Sequence, residues 1–206
     1  EPQYAAAARL SKRLFDIVGA MMLLVAAAPL FATTAIAVKV SSPGRVFYGQ
    51  ERIGRNGERF GMIKFRSMRS DADSQLAALL TAQGKTLAEL PKLTKDPRVT
   101  RVGSFIRRYS IDELPQLLNV IKGDMSLVGP RPQRDFEVAQ YDRVAERRLT
   151  VRPGMTGLWQ VSGRSDLAYA EAINLDVHYV ENWSMTGDLV ILWRTARAVV
   201  SSDGAY

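Results

Sequence analysis

The chain has 206 residues, of which 47% are hydrophobic and 24% charged, with a formal charge of +7. This composition excludes a disordered chain, a collagen-like repeat and a multi-pass membrane protein. The absence of cysteine excludes disulfide scaffolds, thiolate metal sites and cysteine nucleophiles, and a single histidine excludes multi-histidine metal sites. The start at Glu1, without an initiating methionine, indicates a fragment or a processed form.

The positive charge is concentrated near the N-terminus. Residues 1–70 contain 11 lysines and arginines but 4 acids, whereas residues 71–206 contain 17 of each. Such a basic segment predicts an anionic partner, which at this stage is either a membrane surface or a nucleic acid.

An uncharged segment of 22 residues, from Ile17 to Val38, lies inside this basic region. At about 1.5 Å per residue it is long enough to cross a hydrocarbon core of about 30 Å. A buried, alanine-rich helix of a soluble protein is the alternative interpretation. Basic residues flank both sides, with Lys12 before the segment and Lys39 after it, which favours both ends on the cytoplasmic side.

Pro29 lies in the middle of this segment and removes one helical hydrogen bond. We therefore expect the helix to break at Ala28-Pro29 into two half-helices, neither of which can span a bilayer alone. A re-entrant helix, which enters the membrane and returns to the same face, satisfies both the proline and the flanking charges. Residues 1–40 are thus predicted to form an N-terminal arm and a re-entrant membrane helix.

Residues 41–206 are predicted to form one compact cytosolic domain, so that the fold is of the α+β class and mainly helical. Gly54-Arg55-Asn56-Gly57 between two apolar runs predicts a small β-hairpin. Residues 71–90 have the apolar spacing of an amphipathic helix. Ser110-Ile111-Asp112-Glu113 matches a Ser-x-x-Glu capping box and predicts a central helix that begins at Ser110 and ends at Gly123.

The C-terminal part is predicted to contain helices separated by constrained loops. Two prolines exclude a helix in residues 128–132, a polar helix is expected over residues 133–148, and residues 153–164 form a glycine-rich loop. Two helices follow, near residues 167–181 and 186–201. The last has an apolar surface suited to the core or to the membrane interface, as expected of an amphipathic interfacial helix.

Asp112 and Glu113 are adjacent carboxylates in the first turn of the predicted central helix. Exposed backbone N–H groups and the helix dipole favour ionised acids at such a position, so we expect both to be charged near neutral pH. A purely structural role is the alternative, because capping boxes are common.

The cations near these acids favour a phosphate site that also holds Mg²⁺, and an ordinary solvated basic face is the alternative. Guanidinium groups bind phosphate oxygens in bidentate fashion, and Mg²⁺ takes carboxylates together with substrate phosphates. The predicted metal ligands are Asp112 and Glu113. The predicted phosphate-binding residues are Lys64, Arg66, Arg107 and Arg131.

An ordered set of motifs, from about residue 11 to the C-terminus, resembles the bacterial sugar transferases, also known as monotopic phosphoglycosyl transferases. Each motif alone is weak evidence for the family, but the set of motifs in this order is specific to it. Besides the proline-containing apolar helix, the motifs are Lys12-Arg13-Leu14-Phe15-Asp16, Lys64-Phe65-Arg66-Ser67-Met68, Asp112-Glu113-Leu114-Pro115-Gln116-Leu117, Lys122-Gly123-Asp124-Met125-Ser126, Val128-Gly129-Pro130-Arg131-Pro132 and the loop from Pro153 to Arg164.

This resemblance implies transfer of a sugar phosphate, here a hexose phosphate, from a UDP-sugar to polyprenyl (undecaprenyl) phosphate on the cytoplasmic face of the bacterial inner membrane. The reaction would begin exopolysaccharide, capsule or O-antigen assembly. Asp112 would be the nucleophile that forms an aspartyl phosphosugar and releases UMP, and Glu113 would support Mg²⁺ or manage protons. Larger members carry extra N-terminal membrane helices and a soluble domain, so we expect this chain to be the catalytic portion of such a protein.

Two other function classes fit part of the sequence. A basic protein can bind nucleic acid, but the basic residues gather around the uncharged segment, so we expect no nucleic-acid partner. A non-catalytic scaffold could bind anionic lipid through the basic flank, and it would not need the Asp112-Glu113 pair. The sequence is also compatible with a homo-oligomer.

Overall fold

The computed structural model describes residues 6–69, 72, 96–163 and 168–201. The described part is mostly helical with two small sheets, which confirms the α+β, mainly helical prediction. The helix predicted over residues 71–90 lies outside the described residues, except for residue 72. The helices are α1 (Ala6–Ser41), α2 (Arg101–Arg108), α3 (Gln116–Lys122), α4 (Asp135–Val138), α5 (Tyr169–Glu181) and α6 (Met185–Ser201), and the strands are β1 (Phe47–Ile53), β2 (Arg59–Phe65), β3 (Ser126–Val128) and β4 (Gly154–Thr156).

Helix α1 continues through Pro29, so the predicted separation into two half-helices at Ala28-Pro29 is corrected. A proline removes a single backbone hydrogen bond, and this loss does not end the helix here. The Thr33 hydroxyl donates to the carbonyl oxygens of Pro29 and Leu30, each at 3.0 Å. Back-bonding of this kind bends helices without interrupting them.

The middle of α1 is apolar and exposed. Within the described part of the chain, α1 is the one helix long and apolar enough to cross a membrane, and only 11% of its most apolar window is buried. Met22 and Val25 are 63% and 77% exposed. This exposure argues against the alternative that α1 is the core helix of a soluble protein.

Both ends of α1 are fixed to the rest of the fold. Near the N-terminal end, the Arg13 guanidinium donates to the carbonyl oxygens of Val120 and Ile121, at 2.6 and 2.7 Å. At the other end, the Arg66 guanidinium donates to the carbonyl oxygens of Val38, Ser42 and Pro43, at 3.3, 2.7 and 2.5 Å. Arg13 thus binds two carbonyl groups in the last turn of α3, and Arg66 binds one in the last turn of α1 and two in the residues just after it.

A buried ion cluster attaches α1 to α6. The Lys12 Nζ lies 3.0 Å from the Asp16 Oδ1 and 2.9 Å from the Asp188 Oδ2. Both carboxylates are almost fully excluded from solvent. Asp188 also accepts hydrogen bonds from the Tyr179 hydroxyl and the Trp183 Nε1, at 2.8 and 3.0 Å. These partners compensate for burying the charges, which would otherwise be unfavourable.

The predicted hairpin is confirmed. Strands β1 and β2 pair antiparallel, with Phe47 opposite Phe65, and the turn between them contains Asn56 and Gly57, both with positive φ. Asparagine and glycine adopt this left-handed conformation at low cost, which is why the sequence signal was reliable.

The central helix begins later than predicted. A short 3₁₀ helix, Ile111–Glu113, comes first, and α3 starts at Gln116 after Pro115. Ser110 has a φ of 54° and its side chain makes no capping hydrogen bond, so the capping box is wrong. The Glu113 carboxylate accepts from Lys64 instead. The predicted end is confirmed, since Gly123 has a φ of 106° and caps α3.

The C-terminal part differs from the sequence prediction at two places. The polar helix expected over residues 133–148 is replaced by the short α4 and a 3₁₀ helix, Ala145–Thr150, because the Asp142 carboxylate accepts from the backbone N–H groups of Val144 and Ala145 and starts a new turn. A parallel pair of strands, β3 and β4, was not predicted. The absence of a helix in residues 128–132 and the two C-terminal helices are confirmed.

Two hydrophobic clusters share α1. One contains Ala20 of α1 with Leu117 and Leu127, and the other contains Val38 of α1 with Phe65 and Ile106. Leu114, which follows the 3₁₀ helix Ile111–Glu113, packs against both clusters. The segment that carries the two candidate acids is therefore held between the two cores.

Helix α2 lies very close to the backbone after β2, and Gly103 makes this approach feasible. A Cβ atom added at Gly103 would lie 1.8 Å from the Ser67 carbonyl oxygen. Only a residue without a side chain can occupy this position unless α2 moves.

We expect Gly103→Ala to lower the free energy of unfolding by about 3 kcal/mol or more, because the methyl group meets backbone atoms that cannot yield. Gly61→Ala is the matched control, since an added Cβ there has no neighbour within 4 Å. That variant should stay within about 0.5 kcal/mol of the parent. Thermal unfolding in detergent micelles measures both, and equal midpoints for the two variants would contradict the close packing of α2.

Candidate active site

Asp112 lies in the 3₁₀ helix Ile111–Glu113, between α2 and α3. Its side chain is buried, with 9% of the residue exposed. The left-handed conformation of Ser110 turns the chain sharply just before it. A buried carboxylate in a tight turn, held between two hydrophobic clusters, has little freedom to move.

Three charged residues from three parts of the fold surround Asp112. Lys64 extends from β2, and its Nζ lies 2.6 Å from the Glu113 Oε1. Arg107, in the last turn of α2, donates from Nε to the Ser67 Oγ at 2.8 Å. Lys64 and Arg107 both act electrostatically on Asp112, as does Glu113. The structure therefore brings together four of the residues predicted from the sequence.

Burial raises the pKa of Asp112 to about 6, with a further contribution from the Glu113 charge and with Lys64 and Arg107 acting in the opposite direction. The expectation that a helix N-terminus would stabilise the ionised form of Asp112 is corrected, because α3 starts only at Gln116 and the carboxyl is removed from water. A carboxyl with this pKa is still mostly ionised at pH 7. The Asp112 carboxylate is therefore a stronger base than an exposed aspartate, and its negative charge lies in a poorly solvated environment.

Arg66 is placed differently from the other predicted cations. It is buried, and its described hydrogen bonds all go to carbonyl oxygens at the end of α1. Its guanidinium therefore binds backbone at the end of α1 in this structure, whereas Lys64 of β2 lies beside Glu113.

Arg131 lies in a second basic cluster that the sequence did not predict. Its guanidinium carbon lies 5.5 Å from the centre of the Trp159 ring, and it lines a cleft with Pro130, Tyr141 and Arg148. The buried Arg148 pairs with Asp176 at 2.5 Å and also donates to the Arg131 carbonyl oxygen. These contacts fix the backbone that carries Arg131.

Arg52 of β1 belongs to the same cluster. Burial, together with the neighbouring Arg134 and Arg131, lowers the pKa of Arg52 to about 10. Among the described carboxylates, Glu137 pairs with Arg52, with 3.7 Å between the Arg52 Nη1 and the Glu137 Oε2. Because several guanidinium groups face few acids here, the cluster favours an anion. No local sequence signal marks Arg52, which meets Arg131 and Arg134 only in the folded chain.

The candidate metal ligands are Asp112 and Glu113. Among the residues that the structure describes, no group of three or more histidines, aspartates or glutamates could hold a metal ion. One oxygen of Glu113 is engaged by Lys64. Two neighbouring carboxylates with one oxygen already paired fit Mg²⁺ only when substrate phosphates complete its coordination. The arrangement suits phosphoryl-group transfer, because a buried carboxylate lies beside cations that can bind phosphate oxygens.

Comparisons with known proteins match nearly the whole chain. The family model described as bacterial sugar transferase matches residues 7–202. The exopolysaccharide production protein ExoY of Sinorhizobium fredii is 48% identical over 200 residues, which cover 96% of this chain and 88% of that protein. The undecaprenyl-phosphate galactose phosphotransferase of Salmonella typhimurium is 47% identical, and the undecaprenyl-phosphate glucose phosphotransferase of Komagataeibacter xylinus is 40% identical. Each match covers 96% of this chain, but 42% and 37% of those longer proteins.

The family match includes every element that builds the site, from α1 through Lys64 and the Asp112-Glu113 pair to α6. The chain is therefore a transferase that belongs to the bacterial sugar transferase family.

Proposed function

We propose that the protein transfers a hexose-1-phosphate from a UDP-sugar to undecaprenyl phosphate at the cytoplasmic face of the bacterial inner membrane, with release of UMP. The observation that carries this proposal is the buried Asp112 carboxylate between Lys64 and Arg107, in a fold attached to an exposed apolar helix. The product, a lipid-linked sugar diphosphate, would be the first intermediate of exopolysaccharide, capsule or O-antigen assembly. The names of the relatives, which include galactose and glucose phosphotransferases, support a hexose.

The first displacement starts from the ionised Asp112. One carboxylate oxygen attacks the phosphorus next to the sugar, the bond from that phosphorus to the bridging oxygen breaks, and UMP departs with the bridging oxygen. An acyl phosphate linked to the sugar remains on Asp112. Since the carboxylate is already ionised at neutral pH, no general base is needed for this step.

The second displacement returns the enzyme to its starting state. A phosphate oxygen of the acceptor attacks the same phosphorus, and the bond to the Asp112 oxygen breaks. The sugar phosphate is now joined to the lipid phosphate, and the carboxylate is free again. Two in-line displacements at one phosphorus let a soluble donor and a membrane-embedded acceptor use one site in turn.

Cations of the site would hold the phosphate oxygens. Arg107 is oriented by Ser67 and lies close enough to Asp112 to affect its charge, so it is suited to a non-bridging oxygen of the reacting phosphate. Lys64 can exchange its bond to Glu113 for one to phosphate. Mg²⁺, bound by Asp112 and Glu113 together with substrate phosphates, would neutralise the charge of the leaving group. Arg131 is suited to the part of the donor that is farther from the nucleophile, since its described neighbours belong to the second cluster.

A re-entrant placement of α1 is supported by the contacts at both of its ends. Arg13 near the start and Arg66 at the end both attach α1 to the same fold. The basic residues Lys12 and Lys39 therefore lie on the side of the membrane where that fold lies, whereas a straight span would separate them. Helix α1 is continuous through Pro29, and its exposed apolar middle would enter the membrane between these two attached ends.

We expect Asp112→Asn to lower Mg²⁺-dependent UMP release from a UDP-sugar by about a thousandfold or more, because an amide cannot act as the nucleophile. Intact-mass analysis should show the sugar-phosphate adduct on the parent and none on the variant. Its thermal midpoint should equal or exceed that of the parent, since burial disfavours the charge that the substitution removes.

Asp135→Asn is the control for that experiment, because Asp135 is 66% exposed in its side chain and lies in α4. It should retain parental turnover. Normal turnover of Asp112→Asn would exclude the covalent mechanism, and a parent that releases no UMP from any UDP-sugar would favour a non-catalytic scaffold. A panel of UDP-sugars identifies the donor in the same assay.

The pH profile tests the ionisation of the nucleophile. Because Asp112 must be ionised and its pKa is raised to about 6, kcat/KM for the UDP-sugar should fall as the pH decreases through 6. The decline should approach about tenfold for each further pH unit. Lys64→Gln should move this acid limb to higher pH, because Lys64 lowers the pKa of Asp112 and also offsets the Glu113 charge.

Lys122→Gln is the matched control, since Lys122 is an exposed lysine paired with Asp124. Its acid limb should coincide with that of the parent. The pH at the midpoint of the acid limb does not depend on the maximal value of kcat/KM, so a lower activity of Lys64→Gln does not obscure its position. An acid limb of Lys64→Gln that is unchanged or moves to lower pH would contradict the proposed environment of Asp112.

The topology can be tested by cysteine labelling, because the natural chain has no cysteine. Ser11→Cys and Ser41→Cys place single thiols near the two ends of α1, and Val25→Cys places one in its exposed apolar middle. In inside-out membrane vesicles a membrane-impermeant maleimide should label both end positions and spare residue 25. In right-side-out vesicles it should label none of the three. Labelling of one end in each orientation would show a straight span.

A further inference from the structure

The outer face of α2, formed by Arg101, Ser104, Phe105 and Arg108, contributes nothing to either hydrophobic cluster. The opposite face, with Val102 and Ile106, packs against α1 and β2. On the outer face, Phe105 is 58% exposed. The two arginines lie on either side of it along the helix, at spacings that place all three side chains on one stripe.

Helix stability does not explain these residues. Arg101 lies in the first turn of α2, where the positive end of the helix dipole disfavours a cation. Within the described residues, neither Arg101 nor Arg108 forms a salt bridge with a carboxylate. An exposed phenylalanine between two unneutralised guanidinium groups has the charge and apolar surface to bind a molecule that combines a hydrocarbon chain with an anionic head.

This face also leads directly to the nucleophile. The Phe105 ring lies 5.0 Å from the Tyr109 ring, centre to centre, and the Arg108 guanidinium carbon lies 5.8 Å from the centre of the Tyr109 ring. Tyr109 is the last residue before the turn at Ser110 that carries the chain to Asp112. The neighbouring Arg107 faces the carboxylate, so α2 presents one arginine to the nucleophile and the next one to the outer face.

We propose that the outer face of α2 binds the polyprenyl phosphate acceptor, with Phe105 and Tyr109 in contact with the isoprene units nearest the phosphate and with Arg108 binding the phosphate itself. This inference rests on the proposed function, since it assigns the second substrate of that reaction. Because α2 packs on the C-terminal half of α1, an acceptor that lies along the exposed apolar surface of α1 reaches Phe105 without leaving the membrane interface. Its phosphate oxygen then attacks the phosphorus on Asp112, and the Asp112 oxygen is released as carboxylate.

The two half-reactions separate this inference from the proposed function. Phe105→Ala and Arg108→Gln should form the Asp112 adduct and release one equivalent of UMP at the parental rate when acceptor is absent. When undecaprenyl phosphate is then added, KM for the acceptor should rise about tenfold in each variant, because each loses one contact of ordinary strength. The rise in acceptor KM caused by Phe105→Ala should be much smaller with an acceptor phosphate that carries only a short alkyl chain.

Phe136→Ala is the matched control, because Phe136 is also exposed and lies 5.8 Å from an arginine, Arg134, in another part of the fold. Its KM for the acceptor should be unchanged. Flotation with phosphatidylglycerol vesicles that lack undecaprenyl phosphate should show equal binding of parent, Phe105→Ala and Arg108→Gln.

Three results would overturn the inference. If the two α2 variants lose flotation with those vesicles, the outer face binds bulk anionic lipid. If they lose the UMP burst, the face serves the donor step. If both half-reactions are unchanged, the face binds neither substrate. A parent that forms no adduct with any UDP-sugar would instead reject the proposed function, and the acceptor site with it.

Discussion

The attachment of α1 at both ends is the constraint on which the rest of the structure depends. Arg13 donates to the end of α3, Arg66 closes the end of α1, and Lys12 joins two buried carboxylates on α1 and α6. Charged groups that are buried and paired allow few alternative geometries, because any shift leaves a charge without its partner. They therefore set the position of an apolar helix relative to the site. In the proposed mechanism, the apolar helix in the membrane and the Asp112 nucleophile would then act as one rigid unit at the interface.

The same rigidity holds the Asp112 carboxyl in a buried position, where its negative charge lowers the stability of the fold but makes the carboxylate more reactive. The carboxyl is buried next to another acid, so its ionised form is disfavoured, and Lys64 and Arg107 restore only part of the balance. A bound phosphorylated ligand with Mg²⁺ would change the net charge around Asp112 by more than any single side chain there contributes. A site that is strained without its substrates is a common feature of active sites, because reactivity and folding stability favour different environments.

In the proposed reaction, the two basic regions and the outer face of α2 would bind different parts of two dissimilar substrates. Lys64 and Arg107 lie near Asp112, Arg52 and Arg131 form a separate cluster with Trp159 nearby, and Phe105 and Arg108 are exposed on the outer face of α2. In the proposed ping-pong double displacement the donor and the acceptor do not have to be bound at once, so they can use one reacting phosphorus in turn.

The features that depend on local chemistry and on ordered motifs could be predicted from the amino-acid sequence alone. These include the long apolar helix, the Asn-Gly hairpin, the glycine end of α3, the C-terminal helices, the family and the Asp112-Glu113 pair. The partners of the charged side chains, in contrast, are set by long-range contacts in the folded chain. Glu113 forms no capping box, because its carboxylate accepts a hydrogen bond from Lys64 of β2. Arg66 donates to backbone carbonyl oxygens at and just after the end of α1. Burial raises the pKa of Asp112. Local propensities are weak, about 1 kcal/mol or less per residue, so long-range ion pairs and burial override them.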